Sequence, residues 1–248
     1  MTVQTSSISV KGMLMSLKNR RYLKQAMLEK YRTKIIYLIY GLISILPLIV
    51  LAQLPVLTGS SNTKLFDNWL ILIGTSITSI LLLSLWFRKL SNHPIVAVTH
   101  FKKKLIVAVL WCLFSLTIAL IFQNIFRGSN LINDADHDQT VKLLKGPLKV
   151  PLKVPMIIQV SLISPICEEI SFRGIVQTYF EKLFGFKIAM ILTLLIFALL
   201  HGTSLQQIPM FIFSLGLIYM GHHFADLTTS IMTHCLYNTV VTILNLIA

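Results

Sequence analysis

The stretch LIVAVLWCLFSLTIALIF, residues 105–122, contains 18 residues and no charged side chain. A helix of about 20 apolar residues spans the hydrocarbon core of a bilayer, which is roughly 30 Å thick. Comparable apolar runs lie on either side of it, at about 35–54, 69–87, 155–183, 186–201, 208–220 and 227–247. Because backbone polar groups in lipid must be paired within the segment, these runs are predicted to be helices. The sequence therefore predicts an all-α, polytopic transmembrane bundle of about 7 spans.

The composition supports a membrane protein rather than a nucleic-acid-binding one. Hydrophobic residues make up 55% of the chain and charged residues only 12%, whereas roughly a quarter of a soluble domain is charged. The net charge is +13, but 8 of the 22 basic residues precede the first apolar run and none lies beyond Lys187. Basic residues beside apolar spans are typical of the positive-inside rule and of contact with anionic headgroups. Membrane lipids are therefore expected partners, and nucleic acid is not.

The basic residues also predict the topology and the division of the chain. Eight basic residues precede the first span, one lies between the first and second spans, and five lie between the second and third. Because cytoplasmic loops carry the excess of basic residues, this alternation places the N-terminus in the cytoplasm. Residues 1–34 are predicted to be a basic, interfacial N-terminal helix, and residues 35–248 a single transmembrane domain. Seven spans place the C-terminus outside a plasma membrane of bacterial type. The polar connection 127–154 contains the tandem repeat PLKV-PLKV, whose prolines predict an extended chain.

Three of the apolar runs contain polar side chains that lipid disfavours. The positions are Glu168, Glu169 and Arg173 in run 155–183, His201 at the end of run 186–201, and His234 and Asn238 in run 227–247. A charge at the bilayer centre costs about 2.5–3.5 kcal/mol on insertion scales, so such residues usually have a function. Together they supply a carboxylate base, two imidazoles and an amide donor, a combination typical of a catalytic site.

Helical spacing assigns different roles to these residues. Glu169 and Arg173 are four positions apart with the acid first, which favours an ion pair. Glu168 is rotated by about 100° from Glu169 and has no such partner on its own helix, which suits a general base. His234 and Asn238 are also four apart and face one point. Taken singly, each group has a structural alternative, as an ion pair, an interface histidine or hydrogen bonds between helices.

The same spacing gives approximate depths. If the second half of the chain turns at Gly185, Glu169 and His201 each lie 16 residues from the turn. At 1.5 Å per residue, both are then about 24 Å deep. His234 is expected to be shallower, about 12 Å from a turn near Asp226. Cys112, Cys167 and Cys235 all lie in apolar segments, and an odd number at such spacing does not make a disulfide framework. Cys167 and Cys235 face away from the neighbouring polar residues by about 100° and are predicted to be packing residues.

The ordered motifs Glu-Glu-x-x-x-Arg, Phe-x-x-x-His and His-x-x-x-Asn resemble the CPBP family of intramembrane proteases. In this chain they are Glu168 to Arg173, Phe197 to His201 and His234 to Asn238, within residues 161–241. That family includes the type II CAAX prenyl endopeptidases and relatives linked to bacteriocin processing and self-immunity. It usually has eight spans, one more than the sequence suggests. The resemblance places the catalytic core at about 155–248.

The resemblance implies a role for each matched residue. Glu168 and His201 would activate the attacking water, and His234 and Asn238 would stabilise the oxyanion. Glu169, Arg173 and Phe197 would support the site. The expected enzyme needs no cofactor; in the alternative, Glu168, His201 and His234 ligate zinc.

Function is thus expected to be endoproteolysis of a membrane-associated peptide or protein. The alternative is a non-catalytic immunity or peptide-sequestering protein of the same fold, and an ion-coupled transporter is disfavoured by the lack of internal repeats. The sequence leaves the substrate and the oligomeric state open.

Overall fold

The computed structural model describes residues 62–91, 93–126, 150–201 and 207–247, with a few isolated helical positions between 29 and 39. Within these ranges every regular element is a helix. Apart from the isolated positions, the predicted basic segment 1–34 and the first predicted span 35–54 lie outside the described residues, as does the connection 127–149. The prediction of an all-α fold is confirmed for the described part, whereas the count of about 7 spans stays a prediction.

Six helices follow one another in the described ranges. They are α1 (Asn62–Leu90), α2 (Phe101–Ile125), α3 (Val150 to Phe184), α4 (Phe186–Leu200), α5 (Gln207–Phe224) and α6 (Thr228–Ile247). Four contain segments long and apolar enough to cross a membrane, namely Ile73–Leu90, Phe101–Ile125, Lys153–Phe184 and Thr228–Ile247. The apolar helices α4 and α5 are shorter. The chain is therefore a multi-pass membrane protein.

Helix α3 alternates between α-helical and π-helical hydrogen bonding. Its segments are Val150–Ile158 (α), Gln159–Ile163 (π), Ser164–Glu169 (α), Ile170–Val176 (π) and Gln177–Phe184 (α). π-Helical turns are rare and occur frequently at functional sites. Glu168 and Glu169 are the last two residues of the α-helical segment between the two π segments, so both carboxylates project from the most irregular part of the bundle.

The prediction that the PLKV repeat is extended is wrong for its second copy. Residues 151–154 lie in α3, which begins at Val150. Proline is tolerated in the first turn of a helix, because the N–H groups there have no intrahelical acceptor. Pro151 occupies such a position, so its ring does not prevent the helix from starting.

The connections at one end of the bundle are held together by polar contacts. Leu227 N donates to Ile95 O at 3.0 Å, and Lys182 Nζ donates to Leu90 O at 2.9 Å. Gly185 joins α3 to α4 with φ 79°, as the hairpin prediction required, because this left-handed backbone region favours glycine. We call this the basic end of the bundle; its basic residues are Arg88, Lys89, Lys102, Lys103, Lys104, Lys182 and Lys187.

One basic residue of this end is buried. Lys104 Nζ lies 2.6 Å from Asp226 Oδ2, with both side chains at most 2% exposed. The same ammonium donates to Ala97 O at 2.9 Å, and Asp226 Oδ1 accepts from Thr228 N at 2.8 Å. This ion pair therefore fixes the start of α2 against the turn between α5 and α6.

The turn between α5 and α6 lies deeper in the bundle than the turn at Gly185. A Cβ atom placed on Gly174 would lie 3.3 Å from Leu227 Cδ1 and 3.1 Å from Phe87 Cδ2, so α1 and the α5–α6 turn both pack against this glycine. Gly174 precedes Gly185 by 11 residues of α3. The start of α6 is consequently level with the middle of the second π segment, which sets the height of the polar residues on α6.

Candidate active site

Glu168 is surrounded by three polar side chains from three helices. Its Oε1 accepts a hydrogen bond from Ser164 Oγ at 2.8 Å. Its Oε2 lies 3.8 Å from His201 Nε2 and 3.8 Å from His234 Nε2. Ser164 lies one turn earlier on the same face of α3 and is a hydrogen-bonding partner that the spacing of charged residues did not reveal. The structure thus brings together Glu168, His201 and His234, which the sequence singled out.

His234 lies level with Glu168, so the expected difference in depth between them is wrong. The expectation assumed that the turns at Gly185 and Asp226 have the same depth. Because Leu227 packs against Gly174, α6 starts well inside the bundle. Measured from the contact between Leu227 and Gly174, His234 lies 7 residues further along α6 and Glu169 lies 5 residues away along α3. These two rises are similar, so both residues lie at about the same depth.

Glu169 contacts both Arg173 and His234. Its Oε1 lies 3.2 Å from Arg173 Nη1, which is the ion pair predicted from the spacing of four. The same oxygen lies 2.8 Å from His234 Nδ1. Because a carboxylate oxygen accepts, Nδ1 carries the hydrogen, and Nε2 of His234 is left facing Glu168. Sequence reasoning missed this second contact, which depends on the rotation of α6 relative to α3.

The guanidinium of Arg173 is held by a hydroxyl and an aromatic ring. Its Nη2 donates to Ser214 Oγ of α5 at 2.6 Å, and its central carbon, Cζ, lies 4.2 Å from the centroid of the Phe197 ring. Phe197 also packs edge-to-face with Phe172 at 5.0 Å. Arg173 is therefore fixed by α3, α4 and α5 together. Ser214 gives no signal in the sequence, since it is one of many hydroxyl residues in the apolar runs.

His201 is the exposed member of the group. It ends α4, and its Nδ1 lies 2.7 Å from Phe197 O, a carbonyl that can only accept. Nδ1 therefore carries a hydrogen and directs Nε2 toward Glu168. The exposed fraction of the side chain falls from 32% for His201 and 16% for Glu168 to 3% for His234 and 0% for Glu169. The site is thus open on the His201 side and closed behind His234.

Asn238 lies one turn after His234 on α6 and contacts the first π segment. Its Nδ2 donates to Val160 O at 3.1 Å. A primary amide has two N–H donors, so this bond uses one and leaves the other for a further acceptor. Asn238 is partly buried. The structure therefore places it near the site but anchors it to α3 rather than to Glu168 or His201.

The residues that could bind a metal ion are the three side chains of the zinc alternative and the cysteines. Within the described ranges, no three His, Cys, Asp or Glu side chains are arranged to hold a metal ion. The set Glu168, His201 and His234 is held together by the contacts of 3.8 Å given above. All three cysteines are free, and Cys112 and Cys167 are buried.

The part of the chain that contains these residues is similar to a known protein family. Residues 150–240 match the family model of the Rce1-like type II CAAX prenyl endopeptidases. The matched region comprises 91 of the 248 residues and is similar to that family. The match includes every residue of the candidate site and begins with α3. No curated protein and no solved structure matches the chain significantly.

The similarity indicates a general activity. Rce1-like endopeptidases are intramembrane proteases, and residues 150–240 of this multi-pass protein resemble them. The resemblance seen in the three motifs is thereby confirmed. The family match does not assign individual catalytic residues, whose roles follow from the chemistry of the site.

Proposed function

We propose that the protein is an endopeptidase in which Glu168 and His201 activate water for attack on a peptide carbonyl. The observation that carries the proposal is the separation of 3.8 Å between Glu168 Oε2 and the Nε2 atoms of both histidines. These separations exceed a direct hydrogen bond and suit a shared water molecule. The carboxylate and the imidazole of His201 are the partly exposed members of the site, where a substrate can approach.

In the proposed reaction, Glu168 accepts a proton from the water as its oxygen bonds to the carbonyl carbon. The carbonyl π electrons move to the oxygen, giving a tetrahedral oxyanion. The proton then passes from Glu168 to Nε2 of His201. As the oxyanion electrons re-form the C=O bond, the C–N bond breaks, and the leaving nitrogen keeps the bonding electrons and takes the proton from His201. A positioned acid–base pair of this kind contributes about 10²–10⁴-fold to the rate.

His234 is proposed to stabilise the oxyanion as an imidazolium. Both of its nitrogens face carboxylate oxygens, Nδ1 toward Glu169 and Nε2 toward Glu168. Arg173 balances the charge of Glu169, and a proton on His234 balances that of Glu168. The Nε2–H group is then a charge-assisted donor in a poorly solvated site, the arrangement that stabilises developing negative charge most effectively. The free N–H of Asn238 is the second proposed donor.

The mechanism is proposed to be independent of metal. Zinc requires ligand atoms about 2.0–2.2 Å from one point and usually three protein ligands in a catalytic site. Here each histidine has only Nε2 directed at Glu168, because Nδ1 is engaged by Glu169 in His234 and by Phe197 O in His201. The two Nε2 atoms lie 3.8 Å from one carboxylate oxygen, a separation that a shared water molecule can bridge for acid–base chemistry.

The substrate is proposed to be a membrane-associated peptide or protein, cut beside or within the bilayer. The N-terminus is proposed to be cytoplasmic in a plasma membrane of bacterial type, with the basic end of the bundle on the same side. The test compares peptides released by membranes containing the wild-type protein or Glu168→Ala, using mass spectrometry. Peptides present only with the wild type support an endopeptidase. Identical peptide profiles from equally abundant proteins contradict it and favour the non-catalytic alternative.

A further inference from the structure

A long apolar groove runs along the outside of the bundle between α2 and α5, with α4 at its edge. Its volume is about 660 Å³, within the range of roughly 300–1,000 Å³ typical of small-molecule sites. The walls are formed mainly by Val107, Leu110, Trp111, Phe114, Leu215 and Tyr219. We call it the α2–α5 groove. It is separate from the candidate active site, which lies behind Phe213 on the inner face of α5.

The floor of the α2–α5 groove is preformed by a close contact. A Cβ atom on Gly216 would overlap the Trp111 ring, at 1.9 Å from Cε2, so the indole lies directly on the α5 backbone. Trp111 Nε1 donates to Phe213 O at 3.2 Å, which fixes the plane of the ring. The floor of the groove therefore has a fixed shape, as pre-formed ligand pockets do.

The groove surface is almost wholly apolar, and two residues with polar side-chain tips border it at the basic end of the bundle. Lys103 and His223 line this part, and both residues are exposed. Lys103 Nζ lies 5.8 Å from the Phe224 ring centroid, and the His223 ring stacks with Tyr219 at 5.9 Å. A lysine and a tyrosine at the end of an apolar groove are the residues found where a membrane meets water.

We propose that the α2–α5 groove binds an anionic phospholipid, with an acyl chain along Trp111 and the phosphate at Lys103 and His223. The apolar walls match a hydrocarbon chain, and the charge at the mouth matches a phosphodiester. The other exposed basic residues of this end add long-range attraction for an anionic headgroup. The acyl chain of a neutral lipid would pack against the apolar walls equally well. A preference for the anionic headgroup is therefore what distinguishes a specific lipid site from ordinary contact with the bilayer. The proposal does not depend on the proteolytic mechanism.

The experiment measures quenching of tryptophan fluorescence by brominated lipids in vesicles. Full-length protein is reconstituted in mixtures containing brominated phosphatidylglycerol or brominated phosphatidylcholine. The Trp111 contribution is obtained as the difference between the wild type and Trp111→Phe. We expect this contribution to be quenched at about fivefold lower mole fraction of the anionic lipid, which is the preference that one lysine near an anionic surface gives.

Lys103→Gln is the decisive variant, and Lys102→Gln is its matched control. Lys102 is the neighbouring exposed lysine, with the same charge, but it does not line the groove. Lys103→Gln should abolish the preference, and Lys102→Gln should preserve most of it. Equal quenching by both lipids, or equal losses in the two variants, overturns the proposal. Failure of both brominated lipids to quench Trp111 also overturns it, because protein then covers the groove.

A second measurement covers the case in which Trp111→Phe does not fold. Lipids that remain with the purified protein are extracted and identified by mass spectrometry. Anionic phospholipid should be enriched over its share of the host membrane with the wild type and Lys102→Gln, and not with Lys103→Gln. The same composition for all three proteins contradicts the proposal.

Discussion

His234 Nδ1 lies 2.8 Å from Glu169 Oε1, although the two residues are 65 positions apart in the chain. The same oxygen lies 3.2 Å from Arg173 Nη1, so one fully buried carboxylate holds a guanidinium and an imidazole at once. Glu169 thereby connects the ion pair that stabilises α3 with the residue proposed to stabilise the oxyanion. Substitutions around Glu169 should for this reason separate stability from activity.

Arg173→Ala is expected to destabilise the protein strongly. It would leave the Glu169 carboxylate, which is 0% exposed, without its cationic partner. Breaking a buried pair by removing one member costs about 3–5 kcal/mol. The double variant Glu169→Gln/Arg173→Met should regain part of the stability but little activity, because a neutral amide accepts from His234 Nδ1 more weakly than a carboxylate and orients the imidazole less firmly. Thermal unfolding in detergent measures the first effect, and equal stability of the wild type and Arg173→Ala would disprove the ion-pair assignment.

Lys104→Met tests the buried ion pair at the basic end. Asp226 would remain buried and charged after the substitution, which again costs about 3–5 kcal/mol. Lys102→Met removes the same charge from an exposed position two residues earlier and should change stability by no more than about 0.5 kcal/mol. Unfolding curves of the two variants in the same detergent give the comparison. Similar curves would show that Lys104 is not a structural residue.

Gly216→Ala tests the contact between α2 and α5. The added methyl group would overlap the Trp111 ring, so α2 must move, and overpacking of this kind costs about 1–3 kcal/mol. Gly74→Ala is the control, because no atom lies within 4 Å of the position that its Cβ would take. That exchange in α1 should be neutral or stabilise by up to about 1 kcal/mol, through the better helix propensity of alanine. A neutral Gly216→Ala would contradict the close packing of Trp111.

Activity is expected to survive removal of metal. Prolonged dialysis of the purified protein against a strong chelator should leave peptide release unchanged, and elemental analysis should find well under one zinc per chain. Finding about one tightly bound zinc per chain, with activity lost on stripping and restored by zinc, would replace the hydrogen-bonded mechanism by a zinc mechanism. It would leave the assignment to the protease family intact.

The helices could be located from the sequence because their signals are local. An apolar run must be helical in lipid, a glycine between two apolar runs marks the turn at Gly185, and a spacing of four pairs Glu169 with Arg173. The predicted runs 69–87 and 105–122 accordingly lie within α1 and α2, and run 186–201 matches α4. Each of these inferences needs only neighbouring residues.

The features that the sequence did not reveal depend on contacts between distant segments. Lys104 belongs to a row of three lysines and looks solvated, but the packing of α2 against the α5–α6 turn buries it. The depth of His234 depends on how far Leu227 enters the bundle beside Gly174. The bond between Glu169 and His234 depends on the rotation of two helices, and α3 is made irregular by π segments that no local pattern announced.

The most direct test of the account is the turnover of Glu168→Gln in purified, correctly inserted protein. Glutamine keeps the size of the side chain and can still accept from Ser164, so folding should be preserved while the base is lost. Glu181→Gln is the matched control, since it makes the same exchange later on α3, where the side chain accepts from Gln177. We predict a rate about 10²–10⁴-fold lower for Glu168→Gln and a near-normal rate for Glu181→Gln. Near-normal turnover by a stable Glu168→Gln protein would contradict the proposed mechanism.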